Sequence, residues 1–326
     1  MHILLLKTSS LGDLVHMLPA LSDAAKVIPN LRVDWVAEES FAAVPAWHPA
    51  VDKVISVAMR RWRKNVLQSS TWQEIGVARQ AMRATPYAAV VDAQGLLKSA
   101  WMARWAGQPV TGYDRHSIRE PLASLFYAHR VAISRKLHAI ERNRRLLAAA
   151  LGYDMDALPL DYGLSGLAVG AGAGLRLPPA YILALHGTSR EDKEWPEDHW
   201  IALGHGMAAH GRALVLPWGN AREKERAERI AATVPTAQVL PRLGLDALAG
   251  VIARADAVLG VDTGLMHVAA ALRKPGLALF PATLPALTGV RSEPDAPQIA
   301  SLMPKDDLRA EAVLERLVDV LVDALA

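Results

Sequence analysis

The sequence contains no cysteine among its 326 residues, which excludes disulfide bonds, thiolate nucleophiles and zinc sites with thiolate ligands. It also lacks any uninterrupted apolar run of about 18 residues, the length typical of a membrane-spanning helix. The N-terminus is only a short apolar run closed by Lys7, without a basic leader or a small-residue cleavage site. We therefore expect a reducing compartment and a protein that is soluble or peripherally attached.

The glycine patterns of P-loop and dinucleotide-binding proteins are missing as well. Residues 7–13, which follow the first predicted strand, read Lys-Thr-Ser-Ser-Leu-Gly-Asp and match neither pattern. Aromatic residues make up only 6% of the chain, and Trp62 alone is interleaved with a basic run. This scarcity argues against a nucleic-acid-binding protein.

Length and composition indicate a folded protein with two domains. A chain of 326 residues exceeds what one hydrophobic core usually serves, and 52% apolar with 21% charged residues is an ordinary globular composition. The net charge is only +3, but residues 1–165 carry 20 basic against 14 acidic residues. The basic first half suits an anionic partner, although an ordinary solvated surface explains it equally well.

Short apolar runs alternate with helical patterns in both halves of the chain, which predicts parallel α/β sheets. Residues 161–179 carry glycines and a Pro-Pro pair without periodicity, so we predict a linker there. The predicted domains are therefore 1–160 and 180–326, with a last helix that packs back on the first domain. In such sheets ligands bind at the carboxyl ends of the strands.

The loop at residues 7–13 brings two functional candidates to the start of a predicted helix. Gly12 lets the backbone turn or approach a ligand closely, and Asp13 presents a carboxylate at the helix entrance. Asp is also common as a capping residue in this position, and spacing alone favours that structural role.

A second strand-to-helix junction lies at residues 262–267. The backbone amides of Thr263 and Gly264 at a helix N-terminus suit a diphosphate, and the Thr263 hydroxyl adds a donor. Asp262 precedes them as an acceptor for sugar hydroxyls, and His267 follows one turn later. A capped helix with a core histidine explains the same pattern equally well.

Further candidates carry positive charge or hydroxyl groups. Thr188, Ser189 and Lys193 suit phosphate oxygens, and Lys193 suits the charge that builds up on a departing nucleoside diphosphate. Glu223 is a candidate for ribose hydroxyls. The Arg-Arg-Trp-Arg-Lys run at 60–64 suits phosphates or anionic lipid, although a solvated basic loop is the simpler interpretation.

Together these motifs resemble the lipopolysaccharide heptosyltransferase family, glycosyltransferase family 9, and within it the heptosyltransferase I group. The resemblance covers nearly the whole chain and rests on the order and spacing of residues 7–13, 60–64, 92–95, 119–124, 193–196, 217–219 and 262–267. It implies a GT-B fold, in which two Rossmann-like domains face a central cleft and bind acceptor and donor respectively.

The resemblance also implies an activity. Heptose (L-glycero-D-manno-heptose) would pass from ADP-heptose to Kdo (3-deoxy-D-manno-oct-2-ulosonic acid) of the lipid A precursor, with anomeric inversion, in lipopolysaccharide inner-core synthesis. The enzyme would be a monomer without nucleic-acid partner, cofactor or essential metal. It would contact the anionic inner membrane peripherally on its cytoplasmic face.

Site residues follow from the same resemblance. Asp13 corresponds to the general base that takes the proton of the Kdo hydroxyl, and Lys193 to a second catalytic residue. The implied donor-binding residues are Thr188, Ser189, Lys193, Glu223, Leu243, Asp262, Thr263, Gly264 and His267. The implied acceptor-binding residues are Lys7, Ser10, Gly12, Arg60, Arg61, Arg63, Lys64, Arg119 and Arg142.

Two positions depart from the family pattern, and two alternatives stay open. Pro281-Ala282-Thr283 replaces Gly-Pro-Thr, and Leu243 replaces a methionine near the adenine, so the expected contacts to the donor base differ from the family pattern. The chain could instead be a heptosyltransferase II-like enzyme with a heptose acceptor, or a nucleotide-sugar-binding protein without turnover. The basic run favours the first enzyme, and a binding protein has no need for Asp13.

Overall fold

The computed structural model describes residues 1–167, 174–188 and 190–324. The chain divides into two units, Met1–Leu164 and Ser165–Ala326, and each has its own parallel six-stranded sheet. The division falls inside the stretch 161–179 that the sequence predicts as a linker.

The N-terminal unit is a doubly wound α/β sheet with strand order β3-β2-β1-β4-β5-β6. Its strands are β1 (His2–Leu6), β2 (Arg32–Glu38), β3 (Val51–Val57), β4 (Ala89–Asp92), β5 (Val110–Tyr113) and β6 (His129–Val131). Its helices are α1 (Leu11–Val15), α2 (Leu18–Val27), α3 (Ala43–Ala46), α4 (Met59–Lys64), α5 (Ser69–Arg83), α6 (Leu97–Ala103) and α7 (Ala139–Leu151). Residues 3–6 of β1 are fully buried, as expected for a central strand covered on both faces.

The C-terminal unit has the same winding, with strand order β12-β11-β10-β7-β8-β9. Its strands are β7 (Tyr181–Leu185), β8 (Ala213–Leu216), β9 (Gln238–Val239), β10 (Ala257–Val261), β11 (Gly276–Leu279) and β12 (Ile299–Leu302). Its helices are α8 (Glu197–Ala209), α9 (Ala221–Thr233), α10 (Leu245–Arg254), α11 (Gly264–Ala271) and α12 (Ala310–Asp323).

The strand order creates one topological switch point in each sheet. The chain runs outward from β1 in one direction and from β4 in the other, and likewise from β7 and β10. Loops after such neighbouring strands diverge and leave room for a ligand at their carboxyl ends. The motifs at 7–13 and 92–95 meet at the first switch point, and those at 186–188 and 262–267 meet at the second.

The last helix, α12, packs on the C-terminal unit. Its buried residues Val313, Leu317 and Leu321 repeat every four positions and join the core of that unit, which also contains residues of α8. The expectation that the last helix packs back on the N-terminal domain stays a prediction. No helix in the described part of the chain is both long and apolar enough to cross a membrane.

Candidate active site

Side chains from the loop after β4 hold the loop between β1 and α1. Gln94 Oε1 accepts hydrogen bonds from the amides of Thr8 and Ser9 at 2.8 and 3.0 Å, and from the Thr8 hydroxyl at 3.3 Å. Lys7 Nζ donates to the carbonyl oxygen of Ala93 at 2.9 Å. Because β1 and β4 are paired, these bonds join the two loops at the switch point.

Asp13 lies in the first turn of α1 and is partly exposed. Its Oδ2 accepts from the amide of Ser10 at 2.7 Å and from the Ser10 hydroxyl at 3.1 Å. Its other oxygen, Oδ1, makes no hydrogen bond to any residue that the structure describes. One oxygen therefore caps the helix while the second is available, so the capping and the catalytic interpretations are compatible. The neighbouring Gly12 is buried.

Buried charged groups lie beside this loop. Lys7 is only 8% exposed. Burial lowers the pKa of its amine, while the nearby carboxylates of Asp13 and Asp92 act in the opposite direction. Asp92 is fully buried and accepts from the hydroxyls of Ser99 and Tyr127, each at 2.8 Å. Burial raises the pKa of its carboxyl group, and these hydrogen bonds oppose the rise.

Arg142 extends from α7 toward the same group of charges. Its positive charge also lowers the pKa of Lys7. Its Nη2 donates to the carbonyl oxygen of Ser117 at 2.6 Å, and its guanidinium carbon lies 4.9 Å from the centre of the Tyr113 ring. Its buried Nε finds no acceptor among the residues in the described part of the chain. A buried guanidinium donor without an acceptor suits an anionic ligand group.

The basic run forms a helix, α4, and not the solvated loop considered above. Arg61 in this helix binds Glu39 at 3.2 and 2.9 Å and Glu74 at 2.9 Å. Glu74 also accepts from Trp62 Nε1 at 2.6 Å. Arg61 therefore connects α4 to α5 and to the end of β2, so its charge is offset within its own unit.

The other predicted acceptor-binding cations are exposed. Arg60, Arg63, Lys64 and Arg119 all point to solvent, and none forms an ion pair with another described residue. The guanidinium carbon of Arg60 lies 5.5 Å from the centre of the Phe41 ring. These side chains are free to meet an anion.

In the C-terminal unit, an ion pair lies at the end of β10. Asp262 Oδ2 accepts from Lys193 Nζ at 2.6 Å and from Thr283 Oγ1 at 2.9 Å. Thr188 Oγ1 donates to the backbone carbonyl of Asp262 at 3.2 Å. Side-chain exposure is 17% for Lys193 and 21% for Asp262, so the pair remains accessible to a ligand. Loops after β7, β10 and β11 thus converge on one carboxylate.

The helix that follows this carboxylate begins without a side-chain cap. Thr263 is the N-cap residue of α11, and its hydroxyl makes no capping hydrogen bond. Gly264 is the first helical residue, so the amides of the first turn follow Asp262 directly in the chain. His267 is one turn along and only 6% exposed. Ser189, the remaining predicted phosphate contact, lies outside the described residues.

Glu223, in the first turn of α9, lies against the end of β7. Its Oε2 accepts from the amide of Gly219 at 2.7 Å. A Cβ atom at Gly187 would lie 2.7 Å from the Glu223 carboxyl carbon, so the glycine allows this close approach. Leu243 is partly exposed in the segment just before α10.

Two residues that organise these sites had no predicted role. Gln94, in the 92–95 motif, accepts hydrogen bonds from the loop that precedes Asp13. Thr283, in the Pro-Ala-Thr segment that differs from the family pattern, donates to the carboxylate of Asp262. Both follow strands adjacent to a switch point, which is the signal that could have identified them.

One group of side chains has the spacing of metal ligands, but its hydrogen bonds give it a structural role. Among the described residues, His2, Asp34 and Asp52 bring possible ligand atoms within 4.8 Å of one another. Asp34 accepts from Tyr87 at 2.6 Å and contacts His2 Nε2 at 2.8 Å. The group lies near the amino ends of β1, β2 and β3, at the opposite end of the strands from Asp13.

Comparison with known proteins assigns the chain to a family. The sequence model of glycosyltransferase family 9 (heptosyltransferase) matches residues 75–315, well over half of the chain. The chain belongs to this family. The predicted family resemblance is confirmed, and the protein is a glycosyltransferase.

Individual family members match over different lengths. Lipopolysaccharide heptosyltransferase 1 of Pseudomonas aeruginosa is 51% identical over 290 residues, which cover 89% of this chain and 81% of that protein. The protein of the same name from Escherichia coli K12 is 43% identical over 326 residues, covering 97% and 99%. Lipopolysaccharide heptosyltransferase 2 of Escherichia coli K12 is 34% identical over only 102 residues, 29% of each chain.

The fold is likewise similar to a solved family member. A structure of E. coli heptosyltransferase WaaC with ADP has a TM-score of 0.90 and 41% identity, covering 98% of this chain and 100% of that chain. This likeness confirms the expected α/β fold of the GT-B type.

Proposed function

We propose that the chain is a lipopolysaccharide heptosyltransferase of the first type. It transfers heptose from ADP-heptose to the Kdo residue of the lipid A precursor, with inversion at the anomeric carbon. The observation that carries the proposal is Asp13, a partly exposed carboxylate with one free oxygen at a sheet switch point. The whole chain also supports the proposal, because it matches heptosyltransferase 1 proteins over most of its length.

Asp13 acts as the general base in this proposal. The oxygen of the Kdo hydroxyl attacks the anomeric carbon of heptose. As it attacks, the free Oδ1 of Asp13 accepts the proton of this hydroxyl. The bond from this carbon to the diphosphate oxygen breaks, and ADP leaves. Because a sugar hydroxyl is a far weaker acid than a carboxylic acid, the proton moves late, together with bond formation. Positioning of both substrates supplies much of the rate.

Lys193 and α11 stabilise the departing diphosphate. The Lys193 ammonium group lies 2.6 Å from Asp262 Oδ2, and Asp262 directly precedes Thr263, the N-cap residue of α11. A cation and a helix N-terminus together offset the negative charge that develops on ADP. In other transferases a metal ion offsets the charge of the leaving diphosphate. Because Lys193 and α11 offset it here, we propose a reaction without essential metal or cofactor.

The rest of the donor meets the C-terminal unit. Glu223 accepts hydrogen bonds from the ribose hydroxyls, and Asp262 accepts one from the heptose. Thr188, Ser189, Thr263 and His267 complete the diphosphate contacts. Leu243 provides an apolar surface for the adenine. Its side chain is less flexible than that of a methionine and adapts less to the shape of the base.

The acceptor meets cations of the N-terminal unit. Arg60, Arg63, Lys64 and Arg119 are exposed and unpaired among described residues, and Arg142 has a free buried donor. Kdo carries a carboxylate and lipid A carries phosphates, and guanidinium groups bind both with paired hydrogen bonds. Because this acceptor is a membrane lipid, we propose that the monomer works at the cytoplasmic face of the inner membrane.

A heptose acceptor is the second candidate, and sequence coverage favours Kdo. Heptosyltransferase 1 of Escherichia coli aligns with 97% of this chain, and heptosyltransferase 2 with 29%. The test is ADP release from ADP-heptose by the purified protein. We expect release only with a Kdo-bearing lipid A acceptor. Release with only a heptose-bearing acceptor would favour the second type, and binding of ADP-heptose without release under either condition would favour a binding protein.

A further inference from the structure

Three apolar side chains protrude where α4 turns into α5. Leu67 is 98% exposed, Val66 is 50% exposed and Trp72 is 62% exposed. We call Val66, Leu67 and Trp72 the apolar tip. Full exposure of a leucine forfeits all the stabilisation that burial of its side chain would give. A cluster of three such residues indicates a contact surface.

Hydrogen bonds hold the turn in this exposed conformation. Asn65 donates through Nδ2 to the Arg61 carbonyl at 3.0 Å, and Thr71 donates through its hydroxyl to the Asn65 carbonyl at 2.8 Å. Trp72 Nε1 donates to the Val66 carbonyl at 2.9 Å. The indole N–H is therefore satisfied internally, so the ring can enter an apolar medium without an unpaired donor.

Positive charge flanks the apolar tip. Residues 59–72 contain no acidic residue, and Arg61 is already neutralised by Glu39 and Glu74. Arg60, Arg63 and Lys64 are left exposed beside the tip. Two copies of this surface would repel each other, which argues against a second copy of the chain as the occupant. An anionic bilayer offers acyl chains to the tip and negative headgroups to the three cations.

We propose that the apolar tip inserts into the anionic membrane surface while Arg60, Arg63 and Lys64 contact lipid headgroups, among them the phosphates of the acceptor lipid. The inference rests on the proposed function, which requires a lipid acceptor, and names the segment that brings the enzyme to it. Trp72 lies at the level of the headgroups, where amphipathic rings are favoured.

The absence of cysteine from the sequence allows a direct test. Leu67→Cys, labelled with an environment-sensitive fluorophore, reports the polarity around the tip. Val322→Cys on α12 is the matched control, because Val322 is also exposed, at 61%. We expect a blue shift with vesicles of phosphatidylethanolamine and phosphatidylglycerol at position 67 only, and little change with phosphatidylcholine alone. Arg63→Ala should weaken vesicle binding about fivefold.

Three results would overturn the inference. These are no spectral change at position 67, equal changes at both positions, or a change that follows protein concentration without vesicles. The last result, with dimers in sedimentation velocity, would assign the tip to a second copy.

A transfer assay separates this inference from the proposed function. With a water-soluble Kdo acceptor that lacks acyl chains, Leu67→Ser should match the unsubstituted protein. With the lipid acceptor in vesicles, its activity at limiting enzyme should fall about tenfold, as its vesicle binding falls. Loss with both acceptors would contradict a membrane role. Inactivity of the unsubstituted protein with both acceptors would refute the proposed function, while the fluorescence result would still decide membrane insertion.

Discussion

Gln94 is predicted to hold the catalytic loop, and Gln94→Ala should separate loop placement from donor binding. The substitution removes the acceptor of two backbone amides, which lie 2.8 and 3.0 Å from Gln94 Oε1. Leaving a partly buried amide unpaired costs about 1–2 kcal/mol, so the expected loss of unfolding free energy for the two amides is about 2–4 kcal/mol. For a unit of this size the melting temperature should fall by roughly 5–15 °C.

The effect on catalysis follows from geometry. Thr8 and Ser9 precede Ser10 and Asp13, so freeing their amides displaces the carboxylate. A displacement of about 1 Å can cost on the order of a hundredfold in rate. We therefore expect a large fall in kcat and an unchanged dissociation constant for ADP-heptose, whose contacts are proposed in the C-terminal unit.

Three measurements check this prediction. Calorimetry follows unfolding, hydrogen exchange follows the Thr8 and Ser9 amides, and a coupled assay follows ADP release. Gln80→Ala is the control, because Gln80 is exposed and its side chain makes no hydrogen bond to a described residue. Gln94→Glu retains an acceptor and should restore most of the stability. Unaltered exchange of both amides in Gln94→Ala, with unaltered kcat, would refute the reasoning.

Three further predictions concern charge and pH. Lys193→Ala should lower kcat by about a hundredfold and weaken donor binding in calorimetry, because the diphosphate loses its cation; equal turnover would exclude that role. The double variant Arg60→Ala with Arg63→Ala should raise KM for the lipid acceptor without affecting stability. Arg61→Ala should instead mainly lower the melting temperature, because Arg61 is ion-paired with Glu39 and Glu74. A lower melting temperature in the double variant, with only a raised KM in Arg61→Ala, would contradict the ion-pair assignment. Burial lowers the pKa of His48 to about 4 from its usual 6.5, so the unfolded state takes up a proton first as pH falls. Stability should decline between pH 6.5 and 4 by up to about 3 kcal/mol from this residue. In His48→Gln, the free energy of unfolding measured with urea should depend less steeply on pH than in the unsubstituted protein. The same slope in both proteins would be inconsistent with a neutral buried imidazole.

Much of the fold follows from local sequence patterns. Strands such as β1, β7 and β10 are continuous apolar runs that end in polar residues, and their periodicity differs clearly from that of the helices. The strand-to-helix junctions carrying Asp13 and Asp262 were predicted for that reason. Shorter strands such as β6 and β9, with three and two residues, offer too little pattern for recognition.

Contacts between distant residues could not be predicted in the same way. Gln94 bonds residues 85 and 86 positions away, and nothing in its local sequence identifies these partners. The family resemblance implies that Arg61 meets the acceptor. Its partners Glu39 and Glu74 come from elements 22 and 13 residues away, and only the folded chain brings them together.

The central claim is that Asp13 is the general base, and Asp13→Asn tests it most directly. Asparagine retains an oxygen that can accept from the Ser10 amide, so the cap and the fold should persist. The measurement is single-turnover heptose transfer to the Kdo acceptor, paired with calorimetric binding of ADP-heptose to the same preparation. We predict unchanged donor affinity and a transfer rate lower by about a hundredfold to ten-thousandfold. A transfer rate within about twofold of the unsubstituted protein would contradict the account and leave Asp13 as a helix cap.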